Sequence, residues 1–229
     1  DMDLSSLEDL WINNIISEHT TTFRNISDGI SRNQFLYKIA SPLTKSDVPE
    51  IVSPPKILHL GPVSDEVDPN ILSCFPQSMK CLTPQGWFRT RDEENRVIMK
   101  PWAAYEQVLS LSDAAVISLD DVNKDEEAIA KMATSIPVLA VTENYKGARV
   151  YWHNDIRFFS APEVKYVDDT GAGDIFSTAF FYRYFFTKDP WEAGRFAVLI
   201  ASWSVERMYL ESIPTILEIM KAKTEVVGY

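Results

Sequence analysis

Val167-Asp168-Asp169-Thr170-Gly171-Ala172-Gly173-Asp174 runs from a strand into an apolar helix through small residues and ends in a carboxylate. Gly171, Ala172 and Gly173 remove side-chain bulk, so consecutive backbone N–H groups can turn inward. The helix they open adds partial positive charge from its unpaired first-turn donors. Such a turn suits an anion. Asp174, at its lip, can accept a proton from a substrate hydroxyl while the N–H groups hold phosphoryl oxygens. Read alone, the string also fits a plain strand-to-helix turn in which Asp174 caps the helix.

The residues that follow favour the first reading. Ile175 to Phe186 carries Phe176, Phe180, Phe181, Tyr184, Phe185 and Phe186, an almost all-apolar helix expected in the middle of a domain. A buried helix holds a site rigidly. The turn has no lysine for a P-loop, and no GxGxxG opens a dinucleotide fold.

Upstream, the pattern alternates. Lys56 to Leu60 reads as a strand, a helix follows from Asp68-Pro69, and Met79 to Leu82 is the next strand. A helix near Trp102 to Leu111 precedes the strand Ala114 to Ser118, and one near Lys124 to Thr134 precedes Pro137 to Thr142. Apolar, non-alternating strands separated by helices predict a mainly parallel sheet covered on both faces, an α/β fold in three layers. Arg149 to Trp152 and Ile156 to Ser160, joined by His153-Asn154-Asp155, predict a hairpin at one sheet edge. Helices beginning at Asp189-Pro190 and near Pro214 close the chain. Thr20 to Ile26 and Gln34 to Ile39, separated by Ser27-Asp28-Gly29, predict an outlying hairpin over about 20–39. The charge-alternating run Arg89 to Arg96 reads as a solvated loop.

Composition narrows the function classes. A chain of 229 residues with this alternation is expected to form one domain over 1–229. A formal charge of −11, with no basic stripe, argues against nucleic acid or an anionic membrane as partner. No apolar run approaches the roughly 20 residues of a membrane span. Cys74 and Cys81 are too few for a disulfide framework and read as reduced thiols, so a cytoplasmic location is expected. His19, His59 and His153 share no metal-ligand spacing and read as structural.

Asp168-Asp169-Thr170-Gly171-Ala172-Gly173-Asp174 resembles the D-x-T-G-A-G-D signature of the ribokinase, or PfkB, superfamily of carbohydrate and nucleoside kinases, and the resemblance extends from about Thr20 to about Pro214. It implies a ribokinase-like α/β/α fold with a small β lid at 20–39. It also implies ATP-dependent phosphorylation of a hydroxyl on a sugar, cyclitol or nucleoside. Asp174 matches the family's catalytic base, and Gly171, Ala172 and Gly173 its anion hole. Asp168 and Thr170 match positions that in many members ligate a monovalent cation such as K⁺. The opening residues read as the middle of a βα unit, and the resemblance implies further substrate-gripping strands ahead of them.

Other stretches resemble the family with changes. Ser118-Leu119-Asp120-Asp121 follows a strand at the ligand-binding edge and is similar to N-x-x-E, which organises Mg²⁺ and phosphate. Ser118 replaces the Asn, and Asp121, replacing the Glu, retains the charge for a water-mediated Mg²⁺ contact. Helix-capping acids on a solvated loop are the competing reading. Thr142-Glu143-Asn144-Tyr145-Lys146-Gly147 is similar to the nucleotide loop T-x-G-x-x-G, which implies that Thr142, Asn144 and Gly147 meet ATP. Asn144 replaces a Gly there and is the side chain that best tolerates a left-handed backbone. Met208 and Tyr209 stand where a small residue is usual beside adenine, and Thr83-Pro84-Gln85-Gly86, in place of D-x-N, is assigned no catalytic role. On the lid, Arg32 and Gln34 are positioned for a polyhydroxy substrate, or belong to an exposed or dimer-forming sheet in which Phe35, Tyr37 and Ile39 present an apolar face. These departures also admit a second reading, a ligand-binding or regulatory member that has lost catalysis.

Overall fold

A computed structural model of the chain describes residues 10–27 and 32–227; the side chains of residues 27, 32 and 227 lie outside that description. The outlying hairpin comprises β1 (Thr22–Ser27) and β2 (Arg32–Lys38), paired antiparallel. Next come β3 (Ile57–Leu60) and β4 (Met79–Leu82), then a second small hairpin of β5 (Arg89–Arg91) and β6 (Val97–Met99). Helix α1 (Tyr105–Ser110), β7 (Ala114–Ser118), α2 (Glu126–Ser135) and β8 (Val138–Thr142) continue the alternation. Strands β9 (Gly147–Trp152) and β10 (Asp155–Ser160) precede α3 (Ala172–Thr187), α4 (Pro190–Ser204) and α5 (Ile216–Val227).

The central sheet has the order β10-β9-β8-β7-β4-β3. Neighbours β3, β4, β7 and β8 are parallel, and the β9–β10 hairpin adds two antiparallel strands at one edge. Strands β7 and β8 are apolar and buried along nearly their whole length because helices cover both faces. One apolar cluster joins Val138, Ala140 and Val150 to Phe176, Phe180 and Phe196 of α3 and α4. The other joins Leu139, Val141 and Ile117 to Trp87, Trp102 and Ile129 on the opposite face. The expected three layers are therefore present, and each fully buried side chain of the size of Phe180 contributes about 1.5–3 kcal/mol.

Local chemistry sets the element ends. Asp189 caps α4, accepting from the N–H groups of Trp191 at 2.8 Å and Glu192 at 3.2 Å, with Pro190 in the first turn. Asp125 caps α2 in the same way. His153 and Asn154 take φ of 49° and 65°, the two left-handed residues that a tight β9–β10 turn requires.

Three expectations are corrected. The helix after Asp68-Pro69 is only a 3₁₀ segment, Pro69–Cys74, capped by Asp68. Helix α3 is buried at Phe176, Phe180 and Phe181, but its far end emerges, with Phe186 60% exposed. Arg89 to Arg96 is no solvated loop. It contains β5 and the turn into β6, closed by Asp92, which accepts from the N–H groups of Glu94 and Arg96. The outlying hairpin leans on it: Leu36 N–H donates to the Asn95 carbonyl at 2.8 Å, and Arg91 donates to the carbonyls of Leu36 and Tyr37. Leu36, fully buried, anchors that contact.

Candidate active site

The parallel strands end along one edge of the sheet, and α3 starts beside it. Gly171 is the N-cap of α3, with φ of 82°, a left-handed backbone that glycine adopts without penalty. Asp174 is the third residue of the helix, so it is not the N-cap. The simple capping reading therefore falls. A Cβ added at Gly171 or Gly173 would meet no atom within 4 Å, so the turn faces open space. One of the three expected amides is engaged, because Ala172 N–H donates to the Asp169 carbonyl at 3.1 Å. The first four N–H groups of a helix have no partner inside it, which leaves Gly171, Gly173 and Asp174 to supply the donors. Ser177 steadies the turn, its hydroxyl donating to the Gly173 carbonyl at 2.7 Å.

The Asp174 carboxyl reaches solvent, yet the surrounding protein desolvates it enough to raise its pKa above the usual carboxylate value. The Arg89 guanidinium acts in the opposite direction. Arg89 comes from the start of β5 and also lies 3.9 Å from the Asp121 carboxylate. Asp121 is only 6% exposed, accepting from Ser118 N–H at 2.8 Å and from the Gln85 amide at 3.0 Å. Burial raises its pKa, opposed by these donors and by Arg89. Of the competing reading, helix-capping acids on a solvated loop, the capping is present, but Ser118 is the N-cap, its hydroxyl accepting from Asp120 N–H at 3.2 Å, and Asp121 is buried rather than solvated.

Ser118 and Thr142 are register partners at the ends of β7 and β8. Asn144 has φ of 52°, the left-handed backbone expected of it, and its amide donates to Asp120 at 3.2 Å. The two loops after β7 and β8 are thereby tied together. Gly147 has φ of 118°, and a Cβ there would stand 2.0 Å from the Phe159 carbonyl oxygen. Arg149 braces the loop from below with a two-pronged contact to Glu126, at 2.8 and 2.9 Å, and a contact to Glu143. Asp168 accepts from Thr170 N–H at 3.0 Å, and the N–H groups of Val167 and Asp168 both donate to the Val205 carbonyl. Tyr209 has φ of 51° and is 77% exposed.

The sheet edge therefore brings Ser118, Asp121, Thr142, Asn144 and Gly147 together, with Arg89 3.9 Å from Asp121. Gln34 is on the outlying hairpin, where its amide donates to Asn25 at 2.9 Å; the Arg32 side chain lies outside the described residues. Sequence reasoning missed Arg89 and Gln85. The available signal was the Pro84-Gln85-Gly86-Trp87-Phe88 stretch, whose two large aromatics lead straight into Arg89. Among the described residues no three His, Cys, Asp or Glu side chains gather as a metal cage, and no helix is long and apolar enough to cross a membrane.

Solved structures share this architecture. A pyrophosphate-dependent kinase of the ribokinase family superposes with a TM-score of 0.74 at 21% identity, covering 90% of this chain and 75% of that one. A ribokinase from Thermotoga maritima gives 0.63 at 22% identity, covering 89% and 70%. At such identities the likeness shows the ribokinase-like fold alone. Over 143 residues the chain is 31% identical to fructokinase-2 of Solanum lycopersicum, and over 144 residues 28% identical to a probable fructokinase-5 of Arabidopsis thaliana. These matches take in 56% and 57% of this chain but only 42% and 44% of the relatives, so the chain spans less than half the length of the curated relatives it matches. The family model for pfkB family carbohydrate kinases matches residues 56–216, and with the D-x-T-G-A-G-D turn set at the head of α3 beside the sheet edge, the chain belongs to that family.

Proposed function

We propose that this protein transfers the terminal phosphoryl group of ATP to a hydroxyl of a sugar, cyclitol or nucleoside, with Asp174 as the general base. The observation that carries the reading is the position of Asp174: third in α3, outside the capping role, beside open amide donors and within the field of Arg89. In the step, the acceptor oxygen attacks the γ-phosphorus while the bond to the bridging oxygen of ADP breaks. The proton of the hydroxyl passes to the Asp174 carboxylate and on to solvent. The N–H groups of Gly171, Gly173 and Asp174 hold charge on the phosphoryl oxygens.

The residues present fit Mg²⁺ in one mode. Both Asp121 oxygens already accept hydrogen bonds, so Asp121 would hold the ion through water, as Mg²⁺ allows when substrate phosphates supply the other ligands. Bound there, Mg²⁺ would neutralise charge on the donor phosphates. Asp168 and Thr170 are the residues that would hold K⁺.

Removing a general base typically costs about 10²–10⁴ in rate, or roughly 3–5 kcal/mol of barrier. Asp174→Asn is expected to lose that much turnover in coupled ADP release over a panel of sugars, inositols and nucleosides, with ATP binding retained in calorimetry. Turnover equal to wild type would refute the role. The Asn144 amide bound to Asp120 and the exposed Tyr209 favour a second reading, a ligand-binding or regulatory protein. That reading is sustained if the protein binds no ATP in the presence of Mg²⁺ and K⁺.

A further inference from the structure

We propose that the outer edge of β10 is a self-association surface, on which two copies of this chain pair β10 with β10 antiparallel about a two-fold axis at Phe158 and join their central sheets into one. The inference is independent of the phosphoryl-transfer reading, because it concerns the side of the sheet and not its ligand-binding ends.

The β9–β10 hairpin closes through two residues, with Asp155 facing Trp152 across the turn. In such a hairpin the closing pair is hydrogen-bonded, and bonded pairs then alternate along the ladder. Asp155, Arg157 and Phe159 therefore direct their main-chain groups at β9, and Ala161 continues the series by donating to the Lys146 carbonyl at 3.0 Å. The N–H and C=O groups of Ile156, Phe158 and Ser160 point the other way. The Ile156 N–H is answered by the Asp155 carboxylate at 2.9 Å. Among the described residues β10 pairs with β9 alone, so its outer edge is open.

An edge strand is ordinarily blunted by proline, lysine, a bulge or brevity. None of these devices is present in β10, which runs for six residues in unbroken register with β9. The Phe159 ring packs where a side chain at Gly194 of α4 would go, and the Arg157 guanidinium lies 4.3 Å from the centre of the Trp191 ring. Alternation then turns Ile156 and Phe158 to the opposite face, where they are 55% and 47% exposed. An open cavity of about 700 Å³ borders residues 157 to 160 beside α4, which leaves room for a second chain.

The strand complements itself. A chain of charge −11 repels its copies in general, but within β10 Asp155 and Arg157 lie 3.1 Å apart and cancel. Centred on Phe158, the antiparallel register sets Phe158 against Phe158 and bulky Ile156 against small Ser160 of the other copy. Four main-chain bonds close: two between the Phe158 residues, and one from each Ser160 N–H to the opposite Ile156 carbonyl. Arg157 falls opposite Phe159. The register centred on Arg157 would instead set like charges against each other, which is unfavourable.

A contact of one strand on another is small and belongs with weak dimers, populated at protein concentrations on the order of 10–100 μM. Sedimentation velocity from about 5 to 500 μM is expected to show wild type passing from one chain mass to twice that mass. Phe158→Lys, which sets like charges against each other at the axis, is expected to stay monomeric. Val52→Lys adds the same charge at an exposed residue ahead of β3, at the far end of the sheet, and is expected to dimerise as wild type does. Cross-linking reads the register. Opposed residues of a hydrogen-bonded pair have Cα atoms about 5.5 Å apart, within disulfide reach. In a Cys74→Ser background, diamide is therefore expected to link Phe158→Cys at least about tenfold faster than Arg157→Cys. Circular dichroism checks folding, and if Phe158→Lys unfolds the cross-linking ratio decides. Wild type monomeric at about 500 μM, a dimer that persists in folded Phe158→Lys, or equal cross-linking at the two positions overturns the inference.

Discussion

Replacing Gly173 by alanine separates the stability of the α3 turn from its use. Gly173 is the second residue of α3, has no left-handed φ, and a methyl there would meet nothing within 4 Å. The substitution therefore strains nothing, and it removes the conformational freedom that glycine brings to the unfolded chain. Alanine is favoured over glycine in helices by up to about 1 kcal/mol, so a gain of roughly 0.5–1 kcal/mol is expected at this first-turn position. For a domain of this size that raises Tm by about 1–4 °C. The new methyl occupies part of the open space in which the proposed phosphoryl oxygens approach the amides. A displacement of about 1 Å at a reacting centre can cost on the order of 10² in rate. Differential scanning calorimetry and coupled ADP release on the same preparation give the two numbers. A protein that is more stable and at least about tenfold slower is the expected result. Full turnover would mean that the anion lies elsewhere, and a fall in Tm would mean that the turn is not open.

Gly147→Ala should behave in the opposite way. Its φ of 118° and the 2.0 Å approach to the Phe159 carbonyl oxygen combine backbone strain with overpacking against main chain, for a loss of about 2–6 kcal/mol in urea unfolding. Unchanged stability would contradict the geometry. The pH profile of turnover should show an acid limb set by Asp174, which must be ionised to accept a proton. Desolvation puts that limb above the ordinary carboxylate range, and Arg89→Met, by removing an opposing positive charge, should move it to still higher pH. A shift to lower pH in that variant would show that the two groups are not neighbours.

What the sequence made legible follows from how local each signal is. Strands Met79–Leu82 and Ala114–Ser118 and the α4 start at Asp189-Pro190 were readable because apolar runs and a capping Asp lie within a few residues of one another. The glycine turn was readable because small residues and a carboxylate stand side by side. The β5–β6 hairpin was hidden: its strands have three residues each, and the charges between them resemble solvated loop. The outlying hairpin was readable by itself, but its contact with the Arg91–Asn95 turn is tertiary and has no local imprint. Arg89 escaped for the same reason, since Asp121 is 32 positions further along and Asp174 further still. The 3₁₀ segment Pro69–Cys74 carried a correct cap signal, but a cap states where a helix starts and says nothing about how long it runs.

The sheet sorts Asp174 and Arg89 by layer. Asp174 rises from the helix whose phenylalanines fill one apolar cluster, whereas Arg89 continues the turn whose Trp87 and Phe88 fill the other. Each cluster can loosen without dissolving its counterpart, because opening free energies vary across a structure. Deuterium uptake in either layer alone would then part the carboxylate from the guanidinium. On heating, the two groups should accordingly separate several degrees before the far-ultraviolet helix signal decays, with the first layer to exchange marking the weaker half of the fold.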